Sequence, residues 1–203
     1  MNSRRWLILL LAIVTVMSLA TYAGGTMSLF TDDEKSTQDS LGIKWGLYTL
    51  NEDFEDTGSP AWDDLWDENG TTTWQQSSSK PHGGTYSARL SNTDTPGYLT
   101  SDEMEASTAD NITLSFWYNP KALEAGDVLI QAFNGTAYNT LYDLTSYPGY
   151  TNNAWALFNE VISDSQYLIA GFRLRFDASA LGDSQEEINI DDVVIATDTV
   201  PPA

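Results

Sequence analysis

Four carboxylates offer the clearest chemistry in this chain. Asp53 and Glu55 lie in Asn51-Glu52-Asp53-Phe54-Glu55-Asp56, and Asp191 and Asp192 lie in Glu187-Ile188-Asn189-Ile190-Asp191-Asp192-Val193-Val194-Ile195. A hard divalent cation takes about six to eight oxygen ligands, often several carboxylates with backbone carbonyls. If the two segments pair as strands, adjacent positions supply all four acids, and a structural Ca2+ is the expected cofactor. The competing reading leaves these acids in solvent or paired with Arg173 and Arg175. A second set is aromatic: Trp62, Trp66, Trp74 and Tyr98 fall in or near loops, where ring faces could stack on sugars. A third is Glu187, Asn189 and Asp191, acidic and amide groups on one face of a strand. Glycosidases hold two carboxyl groups about 5 to 10 Å apart, but the middle position here is an amide, so an enzyme is not expected. His82 is the only histidine and sits in a Gly-rich turn, which supports no nucleophilic triad. Asn69, Asn111 and Asn134 each open an Asn-x-Ser/Thr sequon and are possible glycosylation sites. With no cysteine, disulfides and thiolate metal sites are excluded.

These side chains need strands to hold them. In 187–195, Ile188 and Ile190 alternate with Asn189 and Asp191, the period of a half-buried strand. The pattern then breaks. An unbroken pleat puts Asp192 on the core face, where a carboxylate needs a partner. A bulge instead turns it outward and brings in Val193 and Ile195. The acidic segment 51–56 is the expected partner strand. Further strands are expected at 85–90, 98–100, 112–118, 127–133, 138–144, 155–162 and 167–176. Asn134-Gly135 is the strongest hairpin signal, Phe172, Leu174 and Phe176 oppose Arg173 and Arg175, and 127–133 reads as buried on both sides. Residues 57–73 read as a loop. Short strands between turn residues, with no long helix in the domain, predict an antiparallel β-sandwich of jelly-roll type over 51–196, with a flexible tail from 197 to 203.

The chain has 203 residues, 41% of them hydrophobic, and a net charge of −20. That balance repels phosphates and argues against nucleic acid as a partner. It suits cation binding, solubility or a salty environment.

Arg4-Arg5 precede an apolar run from Trp6, interrupted at Thr15 and Ser18, that has the form of a secretory signal. Membrane contact is then expected only before cleavage. The following Gly24-Gly25-Thr26-Met27-Ser28-Leu29-Phe30-Thr31-Asp32-Asp33-Glu34-Lys35-Ser36 resembles leaders cut by the SipW type of signal peptidase, among them those of TasA matrix-fibre subunits and camelysin-like proteins. The resemblance implies cleavage after Ser28; a plain small-residue reading puts it after Ala23. Residues 29–50 then form an arm whose Ile43, Trp45 and Leu47 fit either the domain's own first strand or a strand lent to a neighbour. The tail carries no apolar anchor, which predicts release from the membrane.

Residues 51–195 resemble the MAM domain and its cousins among concanavalin-like jelly rolls. Asp53-Phe54-Glu55-Asp56 resembles the MAM opening, with Trp62 and Trp74 near its tryptophans. His82-Gly83-Gly84-Thr85-Tyr86 resembles its histidine-glycine turn, Leu114-Ser115-Phe116-Trp117-Tyr118 its central strand, and Ile190-Asp191-Asp192-Val193 its closing strand. Related jelly rolls hold structural calcium where their terminal strands meet, which the resemblance implies here. The missing cysteines set this chain apart from the disulfide-bonded eukaryotic module, so its adhesive role does not carry over intact. The expected function is a secreted, non-enzymatic cell-surface or matrix protein, a fibre subunit stabilised by calcium and assembled by strand donation. The alternative is a secreted carbohydrate-binding module acting on a surface polysaccharide, and a glycoside hydrolase stands behind both.

Overall fold

A computed structural model describes residues 40–44, 47–56, 65–68, 74–183 and 185–198. All belong to the compact unit Lys35–Ala203. The signal segment 1–28 with both cleavage sites, the arm before residue 40, Trp45, Trp62, Asn69 and the tail beyond residue 198 lie outside the described residues.

The described chain is nearly all strand. In order it forms β1 Ser40–Lys44, β2 Leu47–Glu52, β3 Trp66–Glu68, β4 Gln75–Ser77, β5 Ser87–Ser91, β6 Tyr98–Ser101, β7 Met104–Glu105, β8 Asn111–Lys121, β9 Leu129–Phe133, β10 Tyr138–Asp143, β11 Ala156–Ile162, β12 Ala170–Phe172, β13 Leu174–Asp177 and β14 Glu187–Asp198. One 3-10 turn, Leu144–Ser146, follows β10. A seven-stranded sheet runs β1-β2-β14-β5-β4, with β8 along the other side of β14 and β11 beyond β8. A five-stranded sheet has the order β10-β9-β13-β6-β3, and β12 pairs with β7. All pairings are antiparallel. Among the described residues no helix is long and apolar enough to cross a membrane.

Strict alternation builds the core. Ile112, Leu114, Phe116 and Tyr118 of β8 are fully buried, as are Leu174 and Phe176 of β13. The sheets meet where Phe116 stands edge-on to Phe176, ring centroids 5.0 Å apart. Each such aromatic contributes about 1.5–3 kcal/mol by leaving water. The strand 127–133 is not buried on both sides. Ile130 and Ala132 face the core, while Leu129, Gln131 and Phe133 lie half-buried on the other face, because β9 has a partner sheet on one side only.

The closing strand β14 takes the bulged alternative. Its register against β8 shifts between Asp191 and Val194, and Asp192 has φ +50°. Val193 and Ile195 are buried, joining Ile188 and Ile190. The upstream half of β14 pairs with β5, Ile190 opposite Ala88, and the downstream half with β2, Val193 opposite Glu52. Asn51 and Glu52 therefore do pair with the last strand, but β2 ends at Glu52. Asp53, Glu55 and Asp56 continue as irregular chain, not as the acidic strand expected from 51–56. Leu47–Glu52 is also a strand of the domain's own sheet, with β1 as its hairpin partner. Within the single chain, 47–52 pairs with the domain's own closing strand. The stretch expected to be loop, 57–73, contains β3 and with it Trp66.

Candidate functional site

The bulge leaves a gap between the ends of β5 and β2, and the turn 81–86 closes it. Asp191 is fully buried there. Its Oδ2 accepts the backbone N–H of His82 at 2.7 Å and of Gly83 at 3.3 Å, and its Oδ1 accepts the N–H of Asp192 at 2.9 Å. Burial pushes the Asp191 carboxyl up to about 7, with the Asp192 charge adding to it and the backbone donors opposing it. Asp192 faces out and pairs with Nδ1 of His82 at 2.6 Å. Glu55 holds the other end of the turn, where Oε1 accepts the N–H of Thr85 and Tyr86, both at 2.7 Å. Asp53 Oδ1 accepts the N–H of Glu55 at 3.1 Å.

Three acids of the expected cation site, Asp53, Glu55 and Asp191, therefore hold backbone in place, and the fourth, Asp192, holds the His82 ring. Among the described residues no group of three or more His, Asp or Glu side chains is gathered as a metal ligand set. Asp191 and Asp192 meet the turn at His82 and Gly83, and Glu55 meets it at Thr85 and Tyr86.

The turn depends on Gly84. It has φ +51°, and a Cβ there would stand 2.4 Å from Glu55 Oε1. Gly84→Ala is expected to cost about 2–4 kcal/mol, combining left-handed strain with displacement of Glu55. Thermal melting should show a fall of about 5–10 °C. Gly126, with φ +96° and nothing within 4 Å of its Cβ position, carries the strain alone, so Gly126→Ala should lose about half as much. Equal losses would show that the Glu55 contact contributes nothing.

The aromatic set divides. Trp66 and Trp74 are 2% and 1% exposed. Trp66 stacks on Phe176 at 5.5 Å, and Trp74 packs against the same ring at 6.4 Å. Both rings belong to the core, which corrects their expected role as sugar platforms. Tyr98 is half-buried on the outer face of the five-stranded sheet and belongs to a different constellation.

Register assembles that constellation. Asp67 of β3 lies opposite Thr100 of β6, Thr100 opposite Arg175 of β13, Arg175 opposite Gln131 of β9, and Gln131 opposite Thr140 of β10. Five hydrogen-bonding side chains thus form one row across all five strands. Arg175 Nε donates to Thr100 Oγ1 at 3.2 Å, and Gln131 Nε2 donates to Asp177 Oδ2 at 2.9 Å. The Arg175 guanidinium lies between two phenol rings, 4.4 Å from the Tyr98 centroid and 3.4 Å from that of Tyr138. Phe133 extends the aromatic strip, 5.2 Å from Tyr138, and Arg173 pairs with Glu103 at its margin. Polar groups fixed in a row beside aromatic rings suit a flat ligand rich in hydroxyls. Apart from Tyr98, sequence reading missed this row. The available signals were the outward alternation of Arg173 and Arg175 and the position of Tyr138 just after the Asn134-Gly135 hairpin.

Of the sequons, Asn111 opens β8, half-buried. Asn134 Oδ1 accepts from Thr136 and Ala137 within the β9–β10 hairpin.

No family model and no curated protein matches this chain. Among solved structures it is similar to the CBM22-1 xylan-binding domain of Xyn10C from Paenibacillus barcinonensis, at 13% identity and TM-score 0.50, covering 75% of this chain and 95% of that one. It is similar to the C-terminal family 22 carbohydrate binding module of Clostridium thermocellum Xyn10B, at 13% identity and TM-score 0.51, over 75% and 96%. The K3 cleaved adhesin domain of Lys-gingipain from Porphyromonas gingivalis w83 is similar at 17% identity and TM-score 0.51, over 73% and 96%. At these identities the likeness is one of fold, the antiparallel β-sandwich.

Proposed function

We propose that the outer face of the five-stranded sheet binds a polysaccharide chain, which makes this a non-enzymatic carbohydrate-binding module of an exported protein. The observation that carries the reading is the row Asp67, Thr100, Arg175, Gln131 and Thr140 with Tyr98 and Tyr138 on either side of its central guanidinium. Such a row offers donors and acceptors at strand spacing, about 4.8 Å, to successive sugar hydroxyls, while the phenol rings meet the apolar faces of the sugars. Two of the fold neighbours bind xylan or other carbohydrate, which supports the class and makes soluble xylan the first probe. The leader-like segment supports export.

The test is retardation of the protein in native gels containing xylan, β-glucan or mannan, followed by calorimetry on the polymer that retards it. Arg175→Ala should weaken binding at least about tenfold, the loss of one or two charge-assisted hydrogen bonds. Full mobility in every polymer, or binding indifferent to Arg175→Ala, would remove this face as the site.

The fibre-subunit reading has one observation in its favour. Among the described residues β11 pairs only with β8, and it presents Leu157 and Val161, 45% and 59% exposed, on its outward side. Edge strands with exposed apolar side chains invite another chain. Light scattering in the same experiments would favour that reading if the protein ran as an open-ended polymer.

A further inference from the structure

On the opposite face of the sandwich, over the outer side of the seven-stranded sheet, lies a cleft of about 370 Å³ lined by Ser77, Ser79, Lys80, Arg89, Lys121, Asn153 and Glu187. Its charge is anomalous. The chain carries a net −20, and from residue 45 onward it has only five lysines and arginines, yet three of them line this cleft. Glu187 compensates two of the three: its carboxylate takes Lys80 at 3.0 Å and Arg89 at 2.9 Å. Arg89 also lies 3.8 Å from Asp94. Lys121 sits across from Glu187 in the β8–β14 register but makes no ion pair among the described residues.

The sheet beneath carries a second anomaly. The next outward pair in the same register is Asn189 opposite Asn119, both more than nine-tenths buried. Among the described residues the Oδ1 atoms of both have no hydrogen-bond partner. Buried polar atoms without partners are rare in folded proteins, and each calls for a water, an ion or another polar group.

Three segments also join this cleft to an aromatic cluster. Lys80 is two residues from His82, Asn153 two from Trp155, and Lys121 four from Trp117 on the same face of β8. In each case the first residue lines the cleft and the second belongs to the cluster. His82 stacks on Trp117 at 4.0 Å and stands edge-on to Trp155 at 5.3 Å. Lys80 Nζ donates to Asn153 Oδ1 at 3.1 Å, which ties two of the segments together. Both tryptophans remain partly exposed. A cationic group with hydroxyl and amide neighbours and an aromatic cluster thus lie on the same outer face, joined by three short segments.

We propose that this surface binds an acidic saccharide, its carboxylate meeting Lys121 in the cleft and the adjoining sugar lying against Trp155 and Trp117. The site is independent of the polysaccharide face, which lies on the other sheet. A nonspecific cation patch would not place aromatic rings and serine hydroxyls beside an uncompensated ammonium, and an acidic peptide has no use for the flat rings. The acids elsewhere on the chain do not forbid an anion here, because charges beyond about 8 Å are largely screened at physiological ionic strength.

The test titrates the full chain with a galacturonic acid oligomer, a neutral galactose oligomer of the same length and a glutamate oligomer of the same charge. Calorimetry at physiological ionic strength should show binding of the acidic saccharide at least about tenfold tighter than of either control. Lys121→Gln and Trp155→Ala should each weaken it by about tenfold. Glu187→Gln, which frees Lys80 and Arg89, should strengthen it, and Arg175→Ala on the other face should leave it unchanged. Melting curves of Lys121→Gln, a substitution of a partly exposed side chain without an ion pair, confirm that the folded protein is being measured. The proposal is overturned by no binding, by equal binding of neutral and acidic oligomers, by equal binding of the glutamate oligomer, by indifference to Lys121→Gln, or by loss of binding in Arg175→Ala.

Discussion

Asp191→Ala should destabilise the domain by about 3–5 kcal/mol in urea unfolding at pH 5, since three backbone N–H groups lose their acceptor at once and each unmet donor costs about 1–3 kcal/mol. Asp191→Asn, which keeps an oxygen for the His82 and Gly83 donors, should lose markedly less. The wild-type contribution also depends on pH. The folded carboxyl titrates at about 7 against 3.8 for the ordinary group, so the native state holds the proton more tightly than the unfolded chain. The stability linked to this proton is complete below about pH 4 and declines as pH rises to about 7, by about 4 kcal/mol at most. Self-repulsion of a chain at −20 acts in the same direction. A wild-type protein as stable at pH 8 as at pH 5, with no difference in slope from Asp191→Asn, would refute the assignment.

Glu187→Gln should cost about 1–3 kcal/mol at pH 7, with the opposite pH slope. Burial alone would raise the Glu187 carboxyl, but hydrogen bonds from Lys80, Arg89 and Asn189 prevail and hold it at about 2, below its ordinary 4.5. The folded state therefore favours the ionised form. This contribution is present above about pH 4.5 and is lost as pH falls through about 2. The upper value is discounted because Lys80 and Arg89 remain 28% and 23% exposed. In urea unfolding, the wild-type and Glu187→Gln curves should converge towards pH 2. Together the two acids of β14 place the stability maximum between their windows, at about pH 4–5. Wild-type and Glu187→Gln curves that stay parallel from about pH 4.5 down to about pH 2 would show that the ion pairs contribute no stability.

Strand positions were largely legible because β8, β13 and β14 alternate between one core and one outer face. The bulge was legible as an alternative, because Asp192 interrupts an otherwise apolar face and Val193 offers a substitute. What the acids do was not legible. Asp191 and Glu55 look like cation ligands in a string of residues, and only the gap between β5 and β2 brings the turn 81–86 onto them as a row of N–H donors. Trp66 and Trp74 were misplaced because Gly, Asp and Asn around them resemble an exposed loop, whereas Phe176, more than a hundred residues away, draws both rings inward. Asp67, Gln131 and Thr140 share a row only through cross-strand register, which no single segment encodes. The same holds for Lys80, Arg89 and Lys121, dispersed over three segments and gathered by β14.

The position of β14 in chain order also governs the timing of assembly. It is the shared neighbour of β2, β5 and β8, whose partners in the seven-stranded sheet are otherwise β1, β4 and β11. Until residues 187–198 have emerged, the sheet exists only as separate two-stranded ribbons, which are marginal in water. Leu50 must then wait for Ile195, almost the whole described chain later. Pairings of such long sequence separation are slow, since loop closure precedes any gain from the contacts formed. A chain of this topology stays open while it is being made and closes in a late step.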